Sequence, residues 1–307
     1  MNTYSKIVSK YLNQCKYQKQ LNQKTICAYQ TDLEQLGSFV FPLKVTEITS
    51  SVLENYLKTL HRIYKPRTAK RKIASAKAFF QYLEFQEIIL FNPWSRVQSK
   101  FREPSTLPKL IPLYNIEKLL STIYGQIKNG QTAYRRRNAI RDAAICELLF
   151  ATGLRVFELC SLTPQDVDLN KDSVFIHGKG SKERILHIGN AQVHSALTIY
   201  RDAYTQEITL CKHFFANQNG HPFSDQSVRR MLNYYTELSG IRQHITPHMW
   251  RHTFATSLLE ADVDIRYIQE MLGHSSIHTT EIYTHVSMSK QREILRMKHP
   301  RNMLEIG

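Results

Sequence analysis

Three stretches in the second half of the chain concentrate side chains able to act on an anion or at an oxygen centre. The first reads Ala151-Thr152-Gly153-Leu154-Arg155-Val156-Phe157-Glu158-Leu159; Glu158 follows Arg155 by one helical turn, close enough to hold the guanidinium in place. The second is a glycine turn, Gly178-Lys179-Gly180-Ser181-Lys182-Glu183-Arg184, which displays Lys179 or Lys182 as a proton donor or phosphate contact. The third begins Thr246-Pro247-His248-Met249-Trp250-Arg251-His252 and resumes at Leu272-Gly273-His274, reaching Glu281-Ile282-Tyr283-Thr284-His285. Pro247 suits a helix start, which puts His248 and Arg251 on one face. Gly273 suits a break between helices, leaving His274 near the start of the next and Tyr283 about two and a half turns further on.

Singly, these clusters read as a surface ion pair, a solvated hairpin tip and packed histidines. Together they describe one chemistry. Tyr283 supplies an oxygen nucleophile, while Arg155, Arg251, His248 and His274 supply donors around an anionic oxygen. A phosphodiester attacked by a phenol gains charge on its non-bridging oxygens, which guanidinium forks match while staying protonated. Each preorganised donor of this kind contributes ~3–4 kcal/mol. A metal site fits less well. His248 and His252 are four apart, as are His274 and His278, but the first pair lacks the glutamate of HExxH and has Arg251 beside the supposed ion. No carboxylate cluster of the two-metal kind is evident, so neither a metal nor another cofactor is expected.

The elements that must position these groups fall into two sets. Apolar spacing predicts four helices up to about residue 92: Tyr4–Tyr17, Thr25–Phe39, a third from Thr49 or Ser50 to about Arg62, and a fourth from Pro66 to Leu83. From Arg62 to Lys77 there are seven basic residues and no acidic one. Arg67, Lys70, Arg71, Lys72 and Lys77 are expected to lie along DNA phosphates, a solvated basic face being the plainer alternative. Residues 93–112, with Pro93, Pro104, Pro108 and Pro112, read as an extended linker. Beyond it, helices at Asn115–Gln126, Arg137–Ala151 and Ala191–Tyr204 flank strands at Val174–His177 and Arg184–Ile188, within a strand-like span from Asp166 to Ile188. The expected class is mainly α with a small antiparallel β-sheet, in domains 1–92 and 113–307.

Charge sets the partner. The chain carries 41 Lys and Arg against 26 Asp and Glu, a formal +15. Its first hundred residues hold sixteen basic and six acidic side chains, the remainder twenty-five and twenty, so two thirds of the excess sits in one third of the length. A polyanion follows, with nucleic acid the first candidate. No stretch approaches the ~20 apolar residues of a bilayer span, and the N-terminus lacks the apolar run of a secretory signal, so a cytoplasmic protein is expected. Five scattered cysteines without a CxxC pair argue against a disulfide framework.

In order and spacing, Ala151–Leu162, Gly178–Arg184, Pro247–Thr256 and Leu272–Val286 resemble the motifs of the tyrosine recombinase (phage-type integrase) family, notably its simple Xer-like members. More loosely, the likeness extends to the helical first domain. The resemblance implies a two-domain clamp on double-stranded DNA, a core-binding domain followed by a catalytic domain, with no separate arm-binding domain. It implies Tyr283 as the nucleophile, forming a 3′-phosphotyrosyl link and releasing a 5′-hydroxyl. Arg155 and Arg251 then bind the scissile phosphate with help from His274, and His248 handles the tyrosine proton. Lys179, rather than Lys182, protonates the leaving 5′-oxygen, and Glu158 supports the site. The family works without metal or nucleotide, as tetramers on two duplexes that exchange strands through a Holliday junction; a partner recombinase is compatible with this arrangement. The segment Met288–Gly307 resembles one that packs on a neighbouring protomer. Site-specific DNA recombination is the implied activity. The rivals are a related hairpin-resolving or topoisomerase-like enzyme and a non-enzymatic DNA-binding protein, which would need no nucleophile.

Overall fold

The computed structural model describes residues 3–98, 109–178, 183–261, 263–273 and 295–304. Two compact units divide the chain, Met1–Thr106 and Leu107–Gly307.

Four helices build the first unit: α1 (Thr3–Tyr17), α2 (Gln23–Val40), α3 (Ser50–Ile63) and α4 (Pro66–Phe85). Each start has a local cause. The Asn22 side chain accepts from the Thr25 amide at 2.8 Å, the Thr49 hydroxyl accepts from the Val52 amide, and Pro66 occupies the first turn of α4. Residues at helical spacing, among them Val8, Tyr11 and Cys15 of α1 and Ile73, Phe79, Phe80 and Leu83 of α4, close one core. A 3-10 turn at Pro93–Arg96 adds Trp94 to that core, tied down by the Ser50 hydroxyl donating to the Pro93 carbonyl at 2.8 Å. The proline-marked stretch thus begins with a packed turn.

The second unit contains α5 (Leu113–Asn129), α6 (Ala133–Thr152), α7 (Val156–Ser161), strands β1 (Val167–Asp168), β2 (Ser173–His177) and β3 (Glu183–His187), then α8 (Ala191–Ala203), α9 (Thr205–Cys211), α10 (Asp225–Leu238), α11 (Pro247–Glu260) and α12 (Ile265–Leu272). Helix α6 is its axis. Every residue from Arg141 to Thr152 is buried, with α5, α8 and α11 packed around it. The strands form an antiparallel sheet in the order β1-β2-β3, in which Ile176 faces Arg184 and Phe175 faces Ile185. The expected class, mainly α with a small antiparallel sheet, is the one observed, and both expected strands agree to within one residue at each end. No described helix is long and apolar enough to cross a membrane.

Burying α6 all round forces its charged residues to find partners. Asp142 accepts from Arg141 and from the Tyr235 hydroxyl. Glu147, fully buried, accepts from the Tyr124 hydroxyl at 2.8 Å and from Arg301 Nε at 3.1 and 2.9 Å on its two oxygens. His299 Nε2 donates to the Ala151 carbonyl at 3.0 Å, while its Nδ1 accepts from the Arg301 amide. With Leu295 and Leu304 also buried, residues 295–304 pack on their own chain. The neighbour-packing segment suggested by resemblance is therefore, in its described part, the source of the cation that Glu147 requires.

Candidate active site

Gly153 ends α6 in the left-handed conformation, φ +60°, and a Cβ there would lie 2.5 Å from the Phe254 ring. The reversal turns the chain so that Arg155 becomes the N-cap of α7, with extended backbone, and does not sit within a helix as the spacing suggested. Glu158 lies at the third position of α7. One of its oxygens accepts from the Arg155 amide at 2.9 Å, the other from Arg155 Nη1 at 2.8 Å. The expected pairing of these two residues holds, through a helix cap.

Helix α11 starts at Pro247, as expected, and buries Arg251 to 6% exposure. Its Nη1 donates to the Gly153 carbonyl at 3.0 Å and its Nη2 to the Leu272 carbonyl at 2.6 Å. Leu272 is the last residue of α12, which Gly273 terminates at φ +63°. Arg155 reaches the same helix end through longer contacts, Nη1 to the Leu272 carbonyl at 3.5 Å and Nη2 to the Gly273 carbonyl at 3.4 Å. Carbonyls exposed at a helix C-terminus carry partial negative charge, and these guanidinium groups satisfy them.

A third arginine joins them. Arg184 of β3 gives Glu158 two bonds, Nη1 to Oε1 at 3.1 Å and Nη2 to Oε2 at 2.9 Å, and donates from Nε to the Met271 carbonyl at 2.8 Å. In the sequence this residue ends the glycine-turn motif and begins the expected strand Arg184–Ile188, with no role assigned to it. Strand alternation is the signal that could have found it: Arg184 is two residues before buried Leu186 and opposite buried Ile176, so it occupies the inward phase.

Three cations against one carboxylate leave the cluster net positive, and the titration of its members reflects that. Burial pulls Arg251 below the ordinary guanidinium value, to about 10, aided by Arg155 and Arg184 and opposed by Glu158. Burial pushes the Glu158 carboxyl up, but hydrogen bonds from Arg184 and Arg155 outweigh it and hold the group below the usual carboxylate range. Arg251 and Glu158 are therefore both charged at neutral pH, within a surface suited to an anion.

Of the expected catalytic set, Arg155 and Arg251 come together, with the expected supporting residue Glu158. His248 is exposed in the first turn of α11, one turn before Arg251. Lys179, His274 and Tyr283 lie outside the described residues, as does Lys182. Among the described residues, no group of three or more His, Cys, Asp or Glu side chains is placed to hold a metal.

In the first unit, the five basic side chains expected along DNA separate. Arg67 and Lys70 are exposed on α4 and Lys77 is half-buried with its ammonium over the Trp94 ring. Lys72 is buried, donating to Asp32 Oδ1 at 2.9 Å and to Gln35. Arg71 also pairs with Asp32, itself buried, so these two cations hold α4 to α2. Nothing in the basic run distinguishes them, because their counter-charge lies some forty residues upstream.

Residues 117–290 match the phage integrase family, and residues 8–87 match the phage integrase N-terminal SAM-like domain. A tyrosine recombinase of Agathobacter rectalis is 57% identical over 301 residues, covering 98% of both chains. Tyrosine recombinase XerC of Bacillus subtilis is 32% identical, again over 98% of each. Among solved structures, the XerH recombinase in a post-cleavage complex with palindromic difH substrate superposes with a TM-score of 0.70 at 22% identity, over 94% of this chain and 83% of that one. A lambda integrase dimer on a COC' core site gives 0.66 at 17% identity, over 90% and 96%. From these matches along nearly its whole length, the chain belongs to the phage integrase family of tyrosine recombinases.

Proposed function

We propose that this chain is a site-specific DNA recombinase that cuts and rejoins strands through a covalent link to Tyr283. One observation carries the reading. Arg155, Arg251 and Glu158, from elements as much as a hundred residues apart, meet at the end of α12, immediately before the stretch that holds His274 and Tyr283. In the proposed step the tyrosine oxygen bonds to phosphorus as the bond from phosphorus to the 5′-oxygen breaks. The tyrosine proton passes towards His248, and Lys179 gives a proton to the departing 5′-oxygen. Arg155 and Arg251, with His274, neutralise the non-bridging oxygens, and Glu158 orients Arg155. The 3′-phosphotyrosyl bond retains the energy of the one it replaces, so attack by a 5′-hydroxyl rejoins the strand.

In this reading residues 1–92 bind the core site, 93–112 connect and 113–307 catalyse. Arg67 and Lys70 make phosphate contacts, joined by the outward parts of Arg71 and Lys77. Four copies assemble on two duplexes in the cytoplasm and pass through a Holliday junction. DNA complexes of relatives, among them a lambda integrase tetramer bound to a Holliday junction, support the assembly by analogy of fold.

A nicked substrate that traps the covalent intermediate tests the reading. Wild type should yield an adduct that survives detergent and EDTA, and Tyr283→Phe should yield none. An adduct from the variant would remove Tyr283 from its role; absence from wild type on every site recovered by DNA binding would leave a binding protein; loss on chelation restored by zinc would reinstate the histidine-metal alternative.

A further inference from the structure

Arg184 has no role in the step above, yet it is the most committed of the three clustered arginines. All three of its guanidinium nitrogens are engaged: two on the two oxygens of Glu158, the third on the Met271 carbonyl. A guanidinium so occupied is poorly placed to grip a phosphate. What it touches is more telling. Through Glu158 it reaches Arg155, which shares that carboxylate. Through Met271 it holds the final turn of α12, three residues before His274. It is the second residue of β3, five residues after Lys179 in sequence, with Ile176 opposite. The packing is tight enough that a Cβ on Gly273 would come within 2.9 Å of Arg184 Nη1.

We infer that Arg184 is a positioning residue for strand cleavage, one that locks β3, the Arg155–Glu158 pair and the last turn of α12 in a single register. The inference rests on the recombinase reading, with Lys179 as the acid. Three parts of the reaction come from three separate places in the sequence: charge neutralisation from Arg155, leaving-group protonation from Lys179, which precedes β3, and help from His274, which follows α12. Each must be held to a fraction of an ångström, and a 1 Å misplacement costs about 10²-fold in rate. Arg184 is the side chain that bonds to the last turn of α12, shares a carboxylate with Arg155 and belongs to the strand that follows Lys179 in sequence. Lysine cannot replace it. A single ammonium lacks the planar fork that spans both Glu158 oxygens while donating sideways to Met271.

The test measures single-turnover adduct formation at saturating protein, on a core site where wild type reacts. Two substrates are compared: the ordinary phosphodiester, and one with sulfur in place of the bridging 5′-oxygen, whose thiolate departs without a proton. Arg184→Gln should bind DNA within about threefold of wild type and cleave the oxygen substrate about 10²-fold more slowly. It should recover to within about tenfold of wild type on the sulfur substrate, because a displaced Lys179 no longer matters. Arg184→Lys should recover less than a tenth of the lost rate on oxygen. Equal loss on both substrates would mean that Arg184 acts at the phosphate, directly or through Arg155, with no hold on Lys179, and would overturn the proposal; so would cleavage of the oxygen substrate within threefold of wild type. Lys179→Ala is the control. If sulfur fails to rescue Lys179→Ala, the acid assignment fails, whatever Arg184 does. Should Arg184→Gln not fold, Arg184→Lys, which keeps the charge over Glu158, carries the same comparison with the same outcomes.

Discussion

Replacing Arg251 by methionine should leave the fold almost as stable as before while removing catalysis. Buried to 6% exposure beside Arg155 and Arg184, this guanidinium holds its proton with an affinity lowered to about 10. A fall of that size corresponds to about 3 kcal/mol of unfavourable interaction for the charged form in the folded chain. Against it stand two charge-assisted hydrogen bonds, to the Gly153 and Leu272 carbonyls, worth about 1.5 kcal/mol each. The two effects nearly balance, and methionine keeps the apolar stem in place, so unfolding free energy should change by less than about 2 kcal/mol. The pH dependence has a definite sign. Because the folded value lies below the unfolded one, the penalty on wild type is fully present at every pH below about 10 and fades above it. Wild type should therefore gain on the variant at pH 10.5 relative to pH 7.5. Urea denaturation of DNA-free protein followed by Trp250 fluorescence, in a Trp94→Phe background so that the second unit alone reports, measures this directly. Cleavage should fall 10²- to 10³-fold with DNA binding retained. A stability loss above about 4 kcal/mol, or cleavage within tenfold of wild type, would show that Arg251 is a structural arginine and refute the reasoning.

Burial lowers His299 to about 4, so the docked tail holds it neutral; below the ordinary histidine value the undocked state takes up a proton that the docked state refuses. Tail docking should be fully stable above about pH 6.5 and weaken as pH falls towards 4, read as faster hydrogen exchange in residues 295–304, and His299→Gln should flatten that profile. Arg301→Met strands Glu147 without its cation and should cost about 3–5 kcal/mol in denaturant unfolding, most of it regained in the Glu147→Met, Arg301→Met double variant. In the first unit, Arg67→Ala should reduce the salt dependence of DNA binding by about one phosphate contact at unchanged melting temperature. Lys72→Met should do the reverse, lowering the melting temperature and leaving the salt slope alone.

Much of the fold was legible along the chain because its causes are local. The starts of α3 and α4 follow from Thr49 and Pro66, which satisfy or remove an unpaired amide, whereas α2 is capped by Asn22 and begins at Gln23, two residues before the expected Thr25. The stripes of α1 and α4 repeat every three or four residues because one face of each is covered. Helix α6 gave a weaker signal: buried on all sides, it has no face to repeat, and its true start at Ala133 precedes the expected Arg137. At the site, the order and spacing of the arginine, lysine, histidine and tyrosine motifs were enough to place the chain in its family.

Which charge answers which could not be read that way. Arg155, Arg184 and Arg251 look alike in one dimension, yet one caps a helix with its side chain half in solvent, one is locked to a carboxylate and one is sunk beneath a helix end. Lys70 and Lys72 are neighbours in the same basic run, and only the second faces Asp32. Hydrophobic periodicity reports that a position is covered, but a buried charge survives only opposite a partner, and here those partners lie 26, 40 and 154 residues away. Local chemistry thus settled the elements and the inventory of reactive groups. The pairing of those charges came from the way distant segments pack, since packing alone sets which oppositely charged groups share one low-dielectric space.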